Sequence, residues 1–248
     1  MNTTTKQFSG LSAVFLNCSI KPDKTGSHTQ FLLDKVGGIM ETEGVTVTQV
    51  YALDHAIAFG MVEDGSTATE KDDWPQIQKQ IEEADILVIG SPIWLGVKSS
   101  VATLAIERMY ASSGNRNNKQ QYLYYGKTGG CVITGNEDGI KHCAMDILYA
   151  LQHIGYTIPP QADCGWIGEA GPGPSYGDTS WQGEPIGDGK TPAGFDNEFT
   201  NRNATFMAWN LMHMAKLLKD NDGIPATGNV ADEWTHVTNA TNINPEYR

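Results

Sequence analysis

The clearest structural signal in the chain is a short apolar segment, DILVIG at residues 85–90. An unbroken run of branched aliphatic residues of this length is typical of a strand that is covered on both faces, as in a parallel sheet. Segments with helical spacing separate it from similar short runs at residues 13–17, 45–51, 129–134 and either 156–158 or 162–164. Strand and helix therefore alternate, which predicts one open parallel sheet of five strands with helices on both faces.

Helix boundaries follow from capping residues. Ser27 is a favourable N-cap for the first helix, and Gly44 is a typical stop signal. Asp72 or Asp73 caps the second helix, and Pro75 suits its first turn. The residues between strand three and the third helix, 91–99, are predicted to form a loop.

Charge and cysteine content exclude several classes of function. The chain has 17 Lys and Arg against 29 Asp and Glu, a formal net charge of −12. Such a chain repels phosphate backbones and anionic lipids, so neither nucleic acid nor a membrane surface is expected as a partner. The four cysteines show no close paired spacing, so no metal site is expected. No apolar leader or membrane-spanning run is present, and a cytoplasmic protein is the expectation.

The segment after the first predicted strand, NCSIKPDKTGSHT at residues 17–29, is rich in hydroxyl residues and glycine. It leads into a helix N-terminus, where the helix dipole and free N–H groups favour an anion. A phosphate would find donors there and positive charge from Lys21 or Lys24; the donors are Ser19, Ser27, His28 and Thr29. A solvated loop with a serine cap explains this segment equally well.

Two further loops follow strands three and four. GSPIWLG at residues 90–96 places apolar and aromatic groups beside exposed backbone, which suits a flat amphipathic ring. TGNEDG at residues 134–139 combines glycines, which allow close approach of a ligand, with Asn136 and Glu137. Taken alone, each is explained by ordinary loop packing or helix capping. In a sheet of order 2-1-3-4-5, however, all three loops converge on one crevice.

The chain is predicted to form one domain over residues 1–220 with a polar C-terminal tail at residues 221–248. Residues 166–200 are rich in Gly and Pro and carry Trp166 and Trp181. This stretch is long for a loop inside a compact domain, so we expect an inserted loop that forms a lid or one wall of a substrate pocket.

These motifs resemble those of a known family. The segments NCSIK with GSHT, ADILVIGSPIWLG at residues 84–96 and TGNEDG are similar to the NADPH-dependent FMN reductase and NAD(P)H:quinone reductase branch of the flavodoxin-like superfamily. The likeness covers residues 11–165, and ADILVIGSPIWLG is its most specific part. Two departures are Ile20, where family members often carry proline, and the missing cysteine cluster of iron–sulfur relatives.

The resemblance implies a flavodoxin-like sheet and a non-covalent FMN site. Its phosphate would be held by Ser19, Lys21, Ser27, His28 and Thr29. The isoalloxazine ring and ribityl chain would be lined by Pro92, Ile93, Trp94, Leu95 and Gly96, and the opposite ring edge by Thr134, Gly135, Asn136, Glu137 and Gly139.

The activity implied by the resemblance is an FMN-containing reductase. Hydride would pass from NADPH or NADH through FMN to a small acceptor such as a quinone or free flavin, and no side chain would be catalytic. A homodimer or homotetramer is implied as well. Two alternatives remain open: a flavodoxin-type electron carrier, which its acidity would suit for docking on basic partners, and an interaction module that has lost flavin.

Overall fold

The protein is described here from a computed structural model, which covers residues 6–62, 71–166, 168 and 173–230. The main sheet contains five strands in parallel, namely β1 (Ser12–Asn17), β2 (Thr46–Tyr51), β3 (Ile86–Trp94), β5 (Thr128–Thr134) and β6 (Asp163–Trp166). Their order across the sheet is β2-β1-β3-β5-β6. A two-residue strand, β4 (Val97–Lys98), pairs antiparallel with the end of β3. The predicted flavodoxin-like order of five parallel strands is therefore confirmed.

Five helices pack on the two faces of the sheet. They are α1 (His28–Thr42), α2 (Trp74–Glu83), α3 (Ser100–Ala111), α4 (Ile140–Ile154) and α5 (Glu198–Asp220). Helices α2, α3 and α4 enclose one apolar core, which includes Trp74 and Ile147. Helices α1 and α5 enclose the other, which includes Leu33 and Leu211. Covering both faces explains why the central strands β1, β3 and β5 are buried along almost their whole length.

Three predicted boundaries differ from the structure. The fifth strand is β6, the second of the two alternatives, while Thr157 forms only an isolated bridge with Thr128. Residues 91–94, predicted as loop, extend β3, because β5 continues beside them and pairs with Ser91 and Pro92. Helix α5 begins at Glu198, inside the stretch predicted as loop, because the Asn197 side chain caps it by accepting the Thr200 N–H.

A buried ion pair joins the chain after β2 to α3. The Arg108 guanidinium lies 2.8 Å from the Asp72 carboxylate, and both side chains are almost completely buried. Arg108 also donates to the Ala58 carbonyl oxygen at 2.8 Å, and its guanidinium lies over the Trp74 ring. These contacts fix the described parts of this long connection to the body of the domain.

Residues 173–197, here named the covering segment, contain a small hairpin made of β7 (Ser180–Trp181) and β8 (Glu184–Pro185). Its anchor is Tyr176, which is buried in the α1–α5 core against Phe195 and Trp166. The predicted domain limits stay a prediction, and residues 231–248 of the predicted tail lie outside the described residues. Across the described ranges, no helix combines the length and apolarity needed to cross a bilayer.

Candidate functional site

A cleft of about 260 Å³ opens at the carboxyl edge of the sheet. The loops after β1, β3 and β5 form its walls, and the covering segment contributes Ser175. This is the edge at which open parallel sheets bind their ligands, beside the point where the strand order reverses.

The first wall is the N-terminus of α1. The Ser27 hydroxyl caps the helix by accepting the Gln30 N–H at 3.2 Å. The next two N–H groups, of His28 and Thr29, make no hydrogen bond within the described part of the chain. Since both residues line the cleft, a 15-residue helix presents unpaired donors to it. That arrangement favours an anion, because free N–H groups and the helix dipole act together.

The β1–α1 loop is held in place by its own hydrogen bonds. The Asn17 side chain accepts the Ser19 N–H at 2.9 Å, and the Ser19 hydroxyl accepts the Lys21 N–H at 3.3 Å. The Tyr51 hydroxyl donates to the Lys21 carbonyl oxygen at 2.6 Å, and the Lys21 ammonium donates to the Gly26 carbonyl oxygen at 3.1 Å. The loop therefore brings a hydroxyl and a positive charge to the same end of the cleft.

His28 is held between the helix and the covering segment. Its Nε2 atom lies 3.6 Å from Oδ1 of Asp178, and its ring stacks on Phe31. Burial lowers the pKa of His28, the nearby charge of Lys21 lowers it further, and Asp178 partly opposes both. The imidazole is therefore neutral at pH 7 in the free protein.

The second wall is the tip of the β3–β4 hairpin. Trp94 lines the cleft and is 48% exposed, while Leu95 is 91% exposed with φ of +51°. The Leu95 N–H donates to the Glu137 carboxylate at 2.7 Å, which ties the hairpin to the loop after β5. An aromatic rim beside fixed backbone groups suits a flat ring with polar edges.

The third wall is the β5–α4 loop. The Thr134 and Thr29 hydroxyls lie 2.7 Å apart, which joins this wall to α1. Gly139 has φ of +120°, and a Cβ there would lie 2.5 Å from the Gly96 carbonyl oxygen, so only glycine permits this approach. The Asn136 amide donates to the Gly173 carbonyl oxygen at 3.3 Å, which joins the wall to the covering segment.

Most of the residues predicted from the sequence meet in this one cleft; they are Ser19, Lys21, His28, Thr29, Pro92, Ile93, Trp94, Thr134, Gly135, Asn136 and Glu137. Four predicted residues do not line it: Ser27 is the buried helix cap, Leu95 points to solvent, and Gly96 and Gly139 form the contact between two walls. Their roles toward a ligand stay predictions.

Sequence reasoning missed two residues of the lining, Ile20 and Ser175. Ile20 lies inside the NCSIK motif, at the position where family members often carry proline, and could have been counted among the predicted binding residues. Ser175 lies in the stretch that was predicted to form a lid or one wall of a pocket, but only tertiary packing decides that this residue lines the cleft.

The chemistry of the cleft suits a phosphorylated flavin. One end offers N–H groups, hydroxyls and Lys21, as a phosphate requires, and the rest offers an aromatic side chain and backbone groups. Among the described residues, no group of three or more His, Cys, Asp or Glu could hold a metal ion. Burial raises the pKa of the thiols of Cys18, Cys131, Cys143 and Cys164, which therefore remain protonated.

The sheet order and the position of the cleft define a flavodoxin-like protein. The family described as NADPH-dependent FMN reductase matches residues 12–166, more than half of the chain. The chain belongs to this family. Membership confirms the predicted resemblance. The family is one of flavin-associated enzymes of oxidoreductase type that imply FMN and NADPH, which agrees with the predicted cofactors.

Two comparisons above 30% identity cover most of both chains. The chain is 34% identical over 216 residues to the 8-demethyl-8-aminoriboflavin-5′-phosphate synthase of Streptomyces davaonensis, covering 85% of this chain and 79% of that protein. The crystal structure of RosB with bound 8-demethyl-8-formylriboflavin-5′-phosphate superposes with a TM-score of 0.77 and 32% identity, covering 96% of this chain and 94% of that one. A flavone reductase, with a TM-score of 0.56 and 10% identity, shares the fold.

A third relative is much longer than this chain. The protein named divalent metal cation transporter MntH of Mycobacterium bovis is 50% identical over 227 residues, which cover 88% of this chain. The match covers 32% of that protein, so the chain spans about a third of its length.

Proposed function

We propose that the protein is an FMN-dependent NAD(P)H oxidoreductase that passes hydride to a small acceptor such as a quinone or a free flavin. The observation that carries the proposal is the convergence of an anion-binding helix N-terminus and an aromatic-edged wall on one cleft. Family membership over residues 12–166 supports the same conclusion.

Each wall has a distinct task in this proposal. Ser19, Lys21, His28 and Thr29 bind the phosphate, and the stretch Pro92–Trp94 with the stretch Thr134–Glu137 positions the ring. When bound, FMN supplies the hydride-accepting chemistry. The protein needs no nucleophile, so its contribution is to orient the reactants and to exclude water from the covered side of the cleft.

The test is rapid anaerobic mixing of the FMN-loaded protein with NADPH, followed by addition of a quinone. We expect fast loss of the oxidised flavin absorbance and its return when the quinone is added. A flavin that NADPH leaves oxidised would contradict the proposal and favour the electron carrier. A protein that takes up no FMN would favour the interaction module.

A second candidate treats the flavin phosphate as the substrate. It is favoured by two comparisons above 30% identity that cover most of both chains, since one relative is named as an aminoriboflavin phosphate synthase and the other holds a formylated flavin phosphate. Mass spectrometry of the flavin recovered after many turnovers separates the two candidates. An unchanged FMN mass supports the oxidoreductase, and a changed mass supports flavin modification.

A further inference from the structure

We propose that Asp178 is a positioning residue that prepares His28 to take up a proton when a flavin 5′-phosphate binds, so that the cleft selects phosphorylated flavins. The proposal rests on the proposed function only in that the cleft must bind FMN. It adds a specificity device supplied by the covering segment, which lies outside the part of the chain that matches the family.

The covering segment is built against the phosphate end of the cleft. Ser175 lines the cleft, and the Asn136 amide binds the Gly173 carbonyl oxygen. A Cβ at Gly177 would lie 2.7 Å from the rings of His28 and Phe31, so the backbone at this position packs directly on the imidazole. The segment thus fixes where the His28 ring lies.

Asp178 is itself held rigidly. Its Oδ2 atom accepts the Ser175 N–H at 2.8 Å, its N–H donates to the Ser175 carbonyl oxygen at 3.0 Å, and its carbonyl oxygen accepts the Ala193 N–H at 2.9 Å. These bonds leave Oδ1 as the atom nearest to His28, at 3.6 Å from Nε2. A carboxylate placed in this way stabilises the imidazolium over the imidazole.

The other charged groups around the cleft explain why the proton arrives only with the ligand. Lys21 on the β1–α1 loop acts against protonation of His28, as does burial, and both lower its pKa. On the facing wall, the carboxylate of Glu137 accepts the Leu95 N–H. His28 is therefore neutral before binding. A phosphate dianion beside α1 reverses the balance, so one proton moves from solvent to the imidazole on binding and returns on release.

The predicted consequence is a pH-dependent affinity for FMN that riboflavin lacks. Because the second ionisation of a phosphate monoester has a pKa of about 6, the measurement runs from about pH 6.5 to 8.5, where the phosphate is mainly a dianion. Uptake of one proton weakens FMN binding by up to about tenfold per pH unit as the pH rises. Riboflavin, without the phosphate, binds with an affinity that does not change over this range.

The experiment measures the dissociation constants of FMN and riboflavin by flavin fluorescence for the wild type and for Asp178→Asn, Asp178→Glu, His28→Gln and Glu184→Gln. Glu184 is an exposed carboxylate in the hairpin of the same segment and is the matched control, expected to behave as the wild type. We expect Asp178→Asn to bind FMN more weakly at pH 6.5 and with a flattened pH profile, and Asp178→Glu to retain the profile. His28→Gln should abolish it.

The sign of the Asp178→Asn effect decides between two physical roles. If the carboxylate only repelled the phosphate, removing it would tighten FMN binding at every pH, and that result overturns the proposal. An FMN affinity that is independent of pH in the wild type overturns it as well. Failure of the wild type to bind FMN at all would instead contradict the proposed function itself.

Discussion

Single glycine positions determine how closely two walls of the cleft approach. Gly139 and Gly96 lie backbone to backbone, and both have positive φ angles, of +120° and +77°. This contact sets the distance between the hairpin that carries Trp94 and the loop that carries Asn136. Both glycines lay in predicted motifs and form the contact between the two loops, neither lines the cleft, and their predicted role toward a ligand stays a prediction.

We expect Gly139→Ala to weaken FMN binding at least tenfold and to lower the melting temperature. The added Cβ would lie 2.5 Å from the Gly96 carbonyl oxygen, so the two walls must separate. Gly38→Ala is the matched control, because no atom lies within 4 Å of a Cβ there and alanine favours the helix. Fluorescence titration and thermal unfolding measure both effects, and equal affinities for the two variants would contradict this account.

The Arg108–Asp72 pair gives a prediction for stability and its pH dependence. Asp72→Asn should lower the free energy of unfolding by about 3 kcal/mol, because it leaves a buried guanidinium without its partner. Although burial raises the pKa of Asp72, hydrogen bonds from Arg108, Ala58 and Trp74 and the Arg108 charge lower it below the usual value. The stabilisation is thus complete above the unfolded carboxyl pKa of about 4 and is lost as the pH falls through the folded value.

Urea unfolding at several pH values tests this prediction. The variant should lose less stability than the wild type on acidification below about pH 4. Asp54→Asn, which breaks the exposed pair with Lys24, serves as the control and should change little. Similar losses for the two variants would show that the buried pair contributes no more than a surface one.

At the scale of secondary structure elements, α1 connects the fold to the site. Its apolar residues Leu32, Leu33 and Val36 are buried against the sheet, and its first turn faces the cleft. Packing of the helix therefore fixes the direction in which its free N–H groups point. The sequence predicted this helix, its cap and its stop, because all three depend on local residue types.

Ser27→Ala should lower the free energy of unfolding by about 1 kcal/mol, since the Gln30 N–H loses its cap. We also expect the variant to lose more affinity for FMN than for riboflavin, each compared with the wild type, because the cap orients the first helical turn. Ser100→Ala, at an exposed serine in the first turn of α3, is the control for both measurements. A selective loss of riboflavin affinity would argue against a phosphate at this helix end.

The covering segment lies within residues 166–200, which the sequence predicts to form a lid or one wall of a pocket, but which of its residues face the cleft depends on tertiary packing. Tyr176→Ala should lower the unfolding free energy by roughly 3 kcal/mol through the lost core packing, and it should weaken FMN binding by freeing Ser175 and Asp178. Tyr149→Ala, at a largely exposed position, is the control. If Tyr176→Ala lowered the stability of the protein but left its FMN affinity unchanged, the segment would have no part in the site.

How much of the fold and of the cleft could be predicted from the sequence depends on whether a feature follows from local residue types or from tertiary packing. Strand order and the convergence of three loops follow from β-α alternation, because the carboxyl ends of parallel strands meet at one edge. The Ser91–Trp94 extension of β3, the Arg108–Asp72 pair and the His28–Asp178 contact depend on distant partners. No local pattern encodes such partners, so these features were absent from the predictions.

At the scale of the whole molecule, two properties concern its partners. The net charge of −12 argues against nucleic acid and membrane surfaces, and a homodimer or homotetramer is predicted. The homo-oligomer, the cytoplasmic location and the choice of acceptor stay predictions. Sedimentation velocity with and without FMN tests the first of these, with a dimer or tetramer expected. A monomer at all concentrations would refute it.

The central claim is that a flavin 5′-phosphate binds across the carboxyl edge of this sheet. A crystal structure of the FMN complex tests it most directly. We predict the phosphate within hydrogen-bond distance of Ser19, His28 and Thr29, with the ring between Trp94 and Asn136. Flavin bound elsewhere, for example in the second cleft beside Trp166 and Phe199, would contradict it.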